Sequence, residues 1–183
     1  YQWNAGPGTG SNMMIRVQRT SLSPDAIITL AGHREPVYSA AFSHDGSLVI
    51  SGGHDGTVRV WNAVTGEQIR ELGIHGAWVW TVTTHPTTMV GVSGGHDGIV
   101  RAYQLETGER LQSITAPSRV WSVRFSPDGS TLAVGTDKAI SIYSWPDMNL
   151  VNSIAVDGGP VYSVKFSADG TYIVTAEASK TVV

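Results

Sequence analysis

The sequence contains no cysteine. Disulfides, thiolate zinc sites, iron–sulfur clusters and cysteine nucleophiles are therefore excluded within these 183 residues. An N-linked glycosylation acceptor is missing too, because Asn4, Asn12, Asn62, Asn149 and Asn152 all lack a hydroxyl residue two places on. Both absences point toward a reducing, intracellular setting. No apolar run approaches the roughly 18 residues of a membrane-spanning helix, so no membrane insertion is expected. Charge is scarce: 15 acidic and 12 basic residues leave a formal net charge of −3, with no basic run. That balance argues against nucleic acid as the main partner. The chain opens on Tyr1 without a charged-then-apolar leader, which reads as a processed or incomplete start.

What is present is enough apolar residue, 41% of the chain, to offset the entropy of ordering one domain. The chain also repeats itself. SGGHDGTVRVWN (51–62) returns as SGGHDGIVRAYQ (93–104). FSHDG (42–46) returns as FSPDG (125–129) and FSADG (166–170), with a degenerate THPTT (84–88) between them. VYSAAF (37–42), VWTVTT (79–84), VWSVRF (120–125) and VYSVKF (161–166) mark one point in four units, at spacings of 42, 41 and 41. Within a unit, β-branched and aromatic runs alternate with Asp-Gly turns, where aspartate tolerates the turn and glycine supplies positive φ. Helical periodicity does not compete. Four short antiparallel strands per ~40 residues make an all-β chain built of propeller blades.

These residues resemble the WD-repeat β-propeller family. The features that carry the resemblance are Gly32-His33, the strand running from valine to Phe-Ser, the Asp-Gly turns, Ser51-Gly52, and Trp61-Asn62 in the place of the family's Trp-Asp. It covers essentially the whole chain and is specific for fold, while fold alone leaves function open. The implied architecture is a β-propeller of four-stranded antiparallel blades, about four and a half of them present. A single propeller segment over 1–183 divides into a partial blade at 1–30, blades at 31–73, 74–115 and 116–155, and a partial blade at 156–183. YQWNAG (1–6), MMIRVQ (13–18) and DAIITL (25–30) supply the first three strands, and TVV (181–183) a truncated last one. An open arc would expose blade faces and strand edges to solvent. The stretch is therefore expected to belong to a larger ring, seven-bladed by resemblance, with closure through self-association as the alternative.

The resemblance also implies a buried hydrogen-bonded set. In the first complete blade the matching residues are His33, Ser51, Asp55 and Trp61. The second has His75, Ser93, Asp97 and Tyr103. Such a set satisfies every buried polar group and fixes the histidine tautomer. A hydrolase reading fails, because the serine is consumed by the network and no oxyanion arrangement accompanies it. No catalytic residue is assigned. The third blade, with Ala116, Ala133, Asp137 and Tyr143, has lost the set and is expected to rely on packing. The fourth, with Asp157, Thr175 and Ser179, lacks the histidine. His54 and His96 read as solvent-facing turn residues, and no His–carboxylate cluster has metal-ligand spacing, so no metal is assigned. GPGTG (6–10) lacks the following Lys-Ser/Thr of a phosphate loop, and no cofactor is expected.

Tyr38, Trp80, Trp121 and Tyr162 occupy one equivalent position in four units. By resemblance this position lies near the mouth of the central channel, on the face most used for partners. There they either capture a partner or pack against the neighbouring blade. Trp78 and Arg119 precede the same strands, and with Arg34, Glu35, His54, His96 and Thr136 they are expected to line the rim. The function expected is a non-enzymatic protein–protein interaction scaffold inside a larger multi-protein assembly. Its setting is intracellular and cytoplasmic, with cytoskeleton or cilium among the options. The alternatives are a peptide reader at the channel mouth, or the regulatory propeller of an enzyme or signalling protein.

Overall fold

In the computed structural model, residues 15–18 and 27–178 are described. The YQWNAG strand, the GPGTG turn, Ser179 and the TVV strand lie outside them. No helix occurs among the described residues. None is therefore long and apolar enough to cross a membrane. The described residues instead make sixteen strands in five antiparallel sheets. β1 (Ile15–Gln18) pairs with β2 (Ile27–Leu30). Three four-stranded meanders follow in chain order. The first is β3 (Val37–Phe42), β4 (Leu48–Gly53), β5 (Thr57–Asn62) and β6 (Gln68–Ile74). The second is β7 (Val79–Thr84), β8 (Val90–Gly95), β9 (Ile99–Gln104) and β10 (Arg110–Thr115). The third is β11 (Val120–Phe125), β12 (Thr131–Thr136), β13 (Ala139–Ser144) and β14 (Leu150–Ala155). β15 (Val161–Phe166) and β16 (Ile173–Glu177) make the last pair.

Each sheet lays one face on the next, so the core is a series of inter-sheet layers. Ile50, Val58, Val60 and Leu72 of the first meander pack on Val79, Val82, Tyr103 and Leu105 of the second. Val92, Val100 and Ala102 pack in turn on Val120, Val123, Leu132 and Val134. The second strands carry a glycine where the next sheet comes closest. A Cβ built on Gly52 would stand 2.3 Å from Val79 Cγ1, and one on Gly94 would stand 2.4 Å from Val120 Cγ1. Any side chain there would push the sheets apart.

The inner strands β3, β7, β11 and β15 lie side by side, and their free edges must find hydrogen-bond partners across the sheet boundary. Hydroxyls at one repeating position supply them. Ser39 Oγ accepts from the Val82 N–H at 3.1 Å, Thr81 Oγ1 from the Val123 N–H at 3.3 Å, and Ser122 Oγ from the Val164 N–H at 3.0 Å. At the far end of these strands a serine–aspartate turn repeats. Ser43 Oγ donates to Asp45 Oδ1 at 2.6 Å and Ser126 Oγ to Asp128 Oδ1 at 2.5 Å. The degenerate THPTT turn replaces this lock with another. Its His85 Nε2 sits 3.2 Å from the Gly129 carbonyl of the following turn, on the next sheet.

Candidate functional site

One local irregularity recurs in all four inner strands. The register of β3 against β4 slips between Val37 and Ser39, that of β7 against β8 between Val79 and Thr81, that of β11 against β12 between Val120 and Ser122, and that of β15 against β16 between Val161 and Ser163. The residue inside each slip is Tyr38, Trp80, Trp121 or Tyr162. A bulge residue is released from the ladder and its side chain re-aimed. Here four such releases bring four aromatics together. Ring centroids lie 4.6 Å apart for Tyr38 and Trp80, 4.8 Å for Trp80 and Trp121, and 5.3 Å for Trp121 and Tyr162.

Trp78 meets Trp80 edge-on at 5.3 Å and is flanked by the imidazoles of His54 at 4.4 Å and His96 at 5.2 Å. This corrects the reading of His54 and His96 as solvent-facing: both are half-buried against indole. Thr136 is also misassigned to the rim, since it is fully buried and its hydroxyl donates to the Ala139 carbonyl at 3.1 Å. The rings thus spend much of their area on one another, and exposure concentrates at the margins. Trp78 is 38% exposed and Tyr162 54%. Arg119 lies 5.8 Å over the Trp121 ring. The Arg119 Nε–H and Trp121 Nε1–H both donate to Asp137, at 3.1 and 2.7 Å. Burial raises the Asp137 pKa, but these two bonds outweigh it and hold the carboxyl below its ordinary value. The third sheet therefore does not depend on packing alone.

The residues of the buried set are adjacent in space. In the first meander the Trp61 Nε1–H donates to Ser51 Oγ at 2.7 Å, and that hydroxyl lies 2.7 Å from His33 Nε2. His33 Nδ1 is 2.9 Å from Asp55 Oδ2, and Asp55 accepts from the Thr57 hydroxyl and the Arg34 N–H. Since indole can only donate, Ser51 passes its own proton to Nε2, and Nδ1–H faces the carboxylate. Burial lowers the His33 pKa more than Asp55 raises it, which keeps the ring neutral. In the second meander His75 Nε2 is 2.8 Å from Ser93 Oγ and Nδ1 is 3.0 Å from Asp97 Oδ1. Two differences follow from sequence. The Tyr103 hydroxyl is buried without a hydrogen-bond partner. Burial pushes its pKa up. Arg101, which sequence reasoning did not single out, brings Nη1 to 3.0 Å from Asp97 and 2.5 Å from His75 Nδ1. Its equivalent, Arg59, donates to Thr57 and Gln68 and brings Nη2 to 3.8 Å from Asp55 and 3.4 Å from Glu71. Both serines are fully buried, out of reach of a substrate. Among the described residues, no group of three or more His, Asp or Glu could hold a metal ion.

The repeated four-stranded meanders, the Ser-Gly close approach and the His–Ser–Asp relay define a repeat protein of propeller blades. The chain matches the WD domain, G-beta repeat family over residues 24–62, 66–104, 108–144 and 149–183, and it belongs to that family. It is 29% identical over 162 residues to eukaryotic translation initiation factor 3 subunit I of Kluyveromyces lactis, covering 85% of this chain and 44% of that protein. It is 32% identical over 165 residues to pre-mRNA-processing factor 19 homolog 2 of Arabidopsis thaliana, covering 84% and 31%. It is also 33% identical over 111 residues to the initiation factor 3 subunit I of Pyricularia oryzae, covering 61% and 33%. The chain thus spans less than half the length of each of these relatives.

Proposed function

We propose that this chain is a non-enzymatic interaction scaffold within a multi-protein assembly, and that a protein partner docks on the aromatic arc. The observation that carries this reading is the bulge repeated at Tyr38, Trp80, Trp121 and Tyr162. Packing needs alone would be met by an unbroken ladder with these side chains in the inter-sheet layers. Four releases instead gather aromatic area at one end of the inner strands, and aromatic anchors beside an arginine suit a protein interface. Trp78, Arg119 and Tyr162 are the members open to a partner. The similarity to a translation initiation factor subunit supports membership of an assembly. Blade limits at 31–73, 74–115 and 116–155, inside a seven-bladed ring working in the cytoplasm, complete the reading.

The test is a pull-down from the native source using the full-length protein and its Trp78→Ala/Tyr162→Ala variant. Both side chains lie at the exposed margin of the arc, and the unfolding midpoint of the variant reports the packing lost with Trp78. Loss of hot-spot anchors worth about 2 kcal/mol each should weaken capture by well over tenfold. A variant that recovers the same partners at wild-type levels, with an unchanged unfolding midpoint, would overturn docking at the arc.

A further inference from the structure

The opposite end of the same inner strands holds a second feature. A cavity of about 350 Å³ is lined by Thr83, Thr84, Arg124, Phe125, Lys165 and Phe166, with Pro86 and Pro127 at its margin. Arg124 and Lys165 occupy equivalent positions in β11 and β15, where β3 and β7 carry Ala41 and Thr83. Arg124 is half-buried, yet among the described residues no carboxylate lies within 4 Å of its guanidinium or of the Lys165 ammonium. Among the described residues, the Arg124 side chain donates from Nη1 to the carbonyls of Val123 at 2.7 Å and Val82 at 3.5 Å and makes no other hydrogen bond. The nearby turn aspartates are already engaged, Asp128 by Ser126 and Ser130 and Asp169 by Ser167 and Thr171. Burial lowers the Arg124 pKa and no acid offsets it.

A half-buried guanidinium without an anion is costly, and in a chain of net charge −3 acids are not short. We propose that this cavity receives an acidic side chain of a protein partner, its carboxylate bound between Arg124 and Lys165. Among the described residues Nη2 and Nε of Arg124 make no hydrogen bond, and they form the edge that pairs with a carboxylate. The walls favour a peptide over a free dianion. Phe125, Phe166 and the two prolines suit an aspartate or glutamate set among apolar residues. A phosphate would match the two cations in charge but would bury no apolar surface against Phe125, Phe166 and the prolines. The site is independent of the aromatic arc, at the other end of strands about 17 Å long.

The experiment follows the Arg124 Nε–H resonance of the full-length protein during titration with N-acetyl-Leu-Glu-Leu-amide. Parallel titrations use the glutamine tripeptide and inorganic phosphate. A saturable shift is expected with the glutamate peptide, about tenfold weaker binding of the glutamine peptide, and weaker binding of phosphate. Lys165→Gln, at an exposed position that leaves the fold intact, should weaken the glutamate peptide by about threefold or more. Equal binding of the two peptides would overturn the proposal, as would an Arg124 resonance that never moves or an unaltered response in K165Q. Phosphate acting at lower concentration than the glutamate peptide would overturn the peptide as occupant and assign the cavity to a free anion.

Discussion

The two relays differ by a single hydrogen bond, and that difference has a measurable consequence. Ser51 serves two buried partners, the Trp61 indole N–H and His33 Nε2, both at 2.7 Å. Ser93 serves one, His75 Nε2 at 2.8 Å, while the Tyr103 hydroxyl has no partner. Serine to alanine removes one oxygen in either case, so the change in packing volume is the same. What differs is the number of polar atoms stranded without water. Each stranded atom costs about 1–3 kcal/mol. Ser51→Ala should therefore destabilise by roughly 2–6 kcal/mol and Ser93→Ala by roughly 1–3 kcal/mol, a gap of the order of one hydrogen bond. The comparison is internal, because both serines are fully buried in equivalent strands of one molecule. The assay is urea unfolding of the full-length protein, compared at constant slope so that the midpoint reports stability. Tyr103→Phe serves as the control. It deletes a hydroxyl that already lacks a partner and should be neutral or slightly stabilising. Equal costs for the two serine variants, or a larger cost for Ser93→Ala, would refute the reasoning. So would a large loss in Tyr103→Phe.

Three further outcomes are expected. Gly94→Ala forces a Cβ to within 2.4 Å of Val120 Cγ1 and should cost about 1–3 kcal/mol by overpacking, read as a lowered midpoint; no change would mean the sheets slide freely. Ser122→Ala strands the buried Val164 N–H and should cost about 1–3 kcal/mol, with faster hydrogen exchange at Val164 and unchanged exchange at Val82. Stability should also fall as pH drops below 6.5. Burial depresses the folded pKa of His33, His75 and His85 below 6.5, so the unfolded chain binds more protons. Their contribution is complete above 6.5 and is lost on descent toward the folded pKa values, at no more than roughly 1.4 kcal/mol per histidine per pH unit. A midpoint that rises between pH 7.5 and 5.5 would contradict this. The turn aspartates Asp45, Asp128 and Asp169 act separately. Hydroxyl bonds from Ser43, Ser126 and Ser167 hold them at about 2, so their share is present above 3.8 and lost only as pH approaches 2.

A repeat makes certain things legible and hides others, for a physical reason. Period and alternation report on what a residue does inside its own unit, so strands, Asp-Gly turns and the His–Ser–Asp–Trp positions can be read from one line of text. Contacts between units depend on the distance and tilt of neighbouring sheets, which no spacing encodes. Tyr38, Trp80, Trp121 and Tyr162 could be aligned from the sequence, but the slip that frees each of them is a backbone event with no residue type of its own. For the same reason His54 and His96 read as turn residues open to water, although Trp78 comes from the next unit in one case and from the same unit in the other to cover them. The third sheet shows how this matters for function. Losing histidine and serine at Ala116 and Ala133 looked like losing the polar network altogether. Asp137, freed from an absent histidine, instead turns to Trp121 and Arg119. The carboxylate that would have locked a core histidine now positions an indole and a guanidinium of the arc. A blade that has lost its internal relay has thereby become the one whose aspartate shapes the exposed surface. Removing that carboxylate should loosen Arg119 and Trp121 while leaving the relays at His33 and His75 intact.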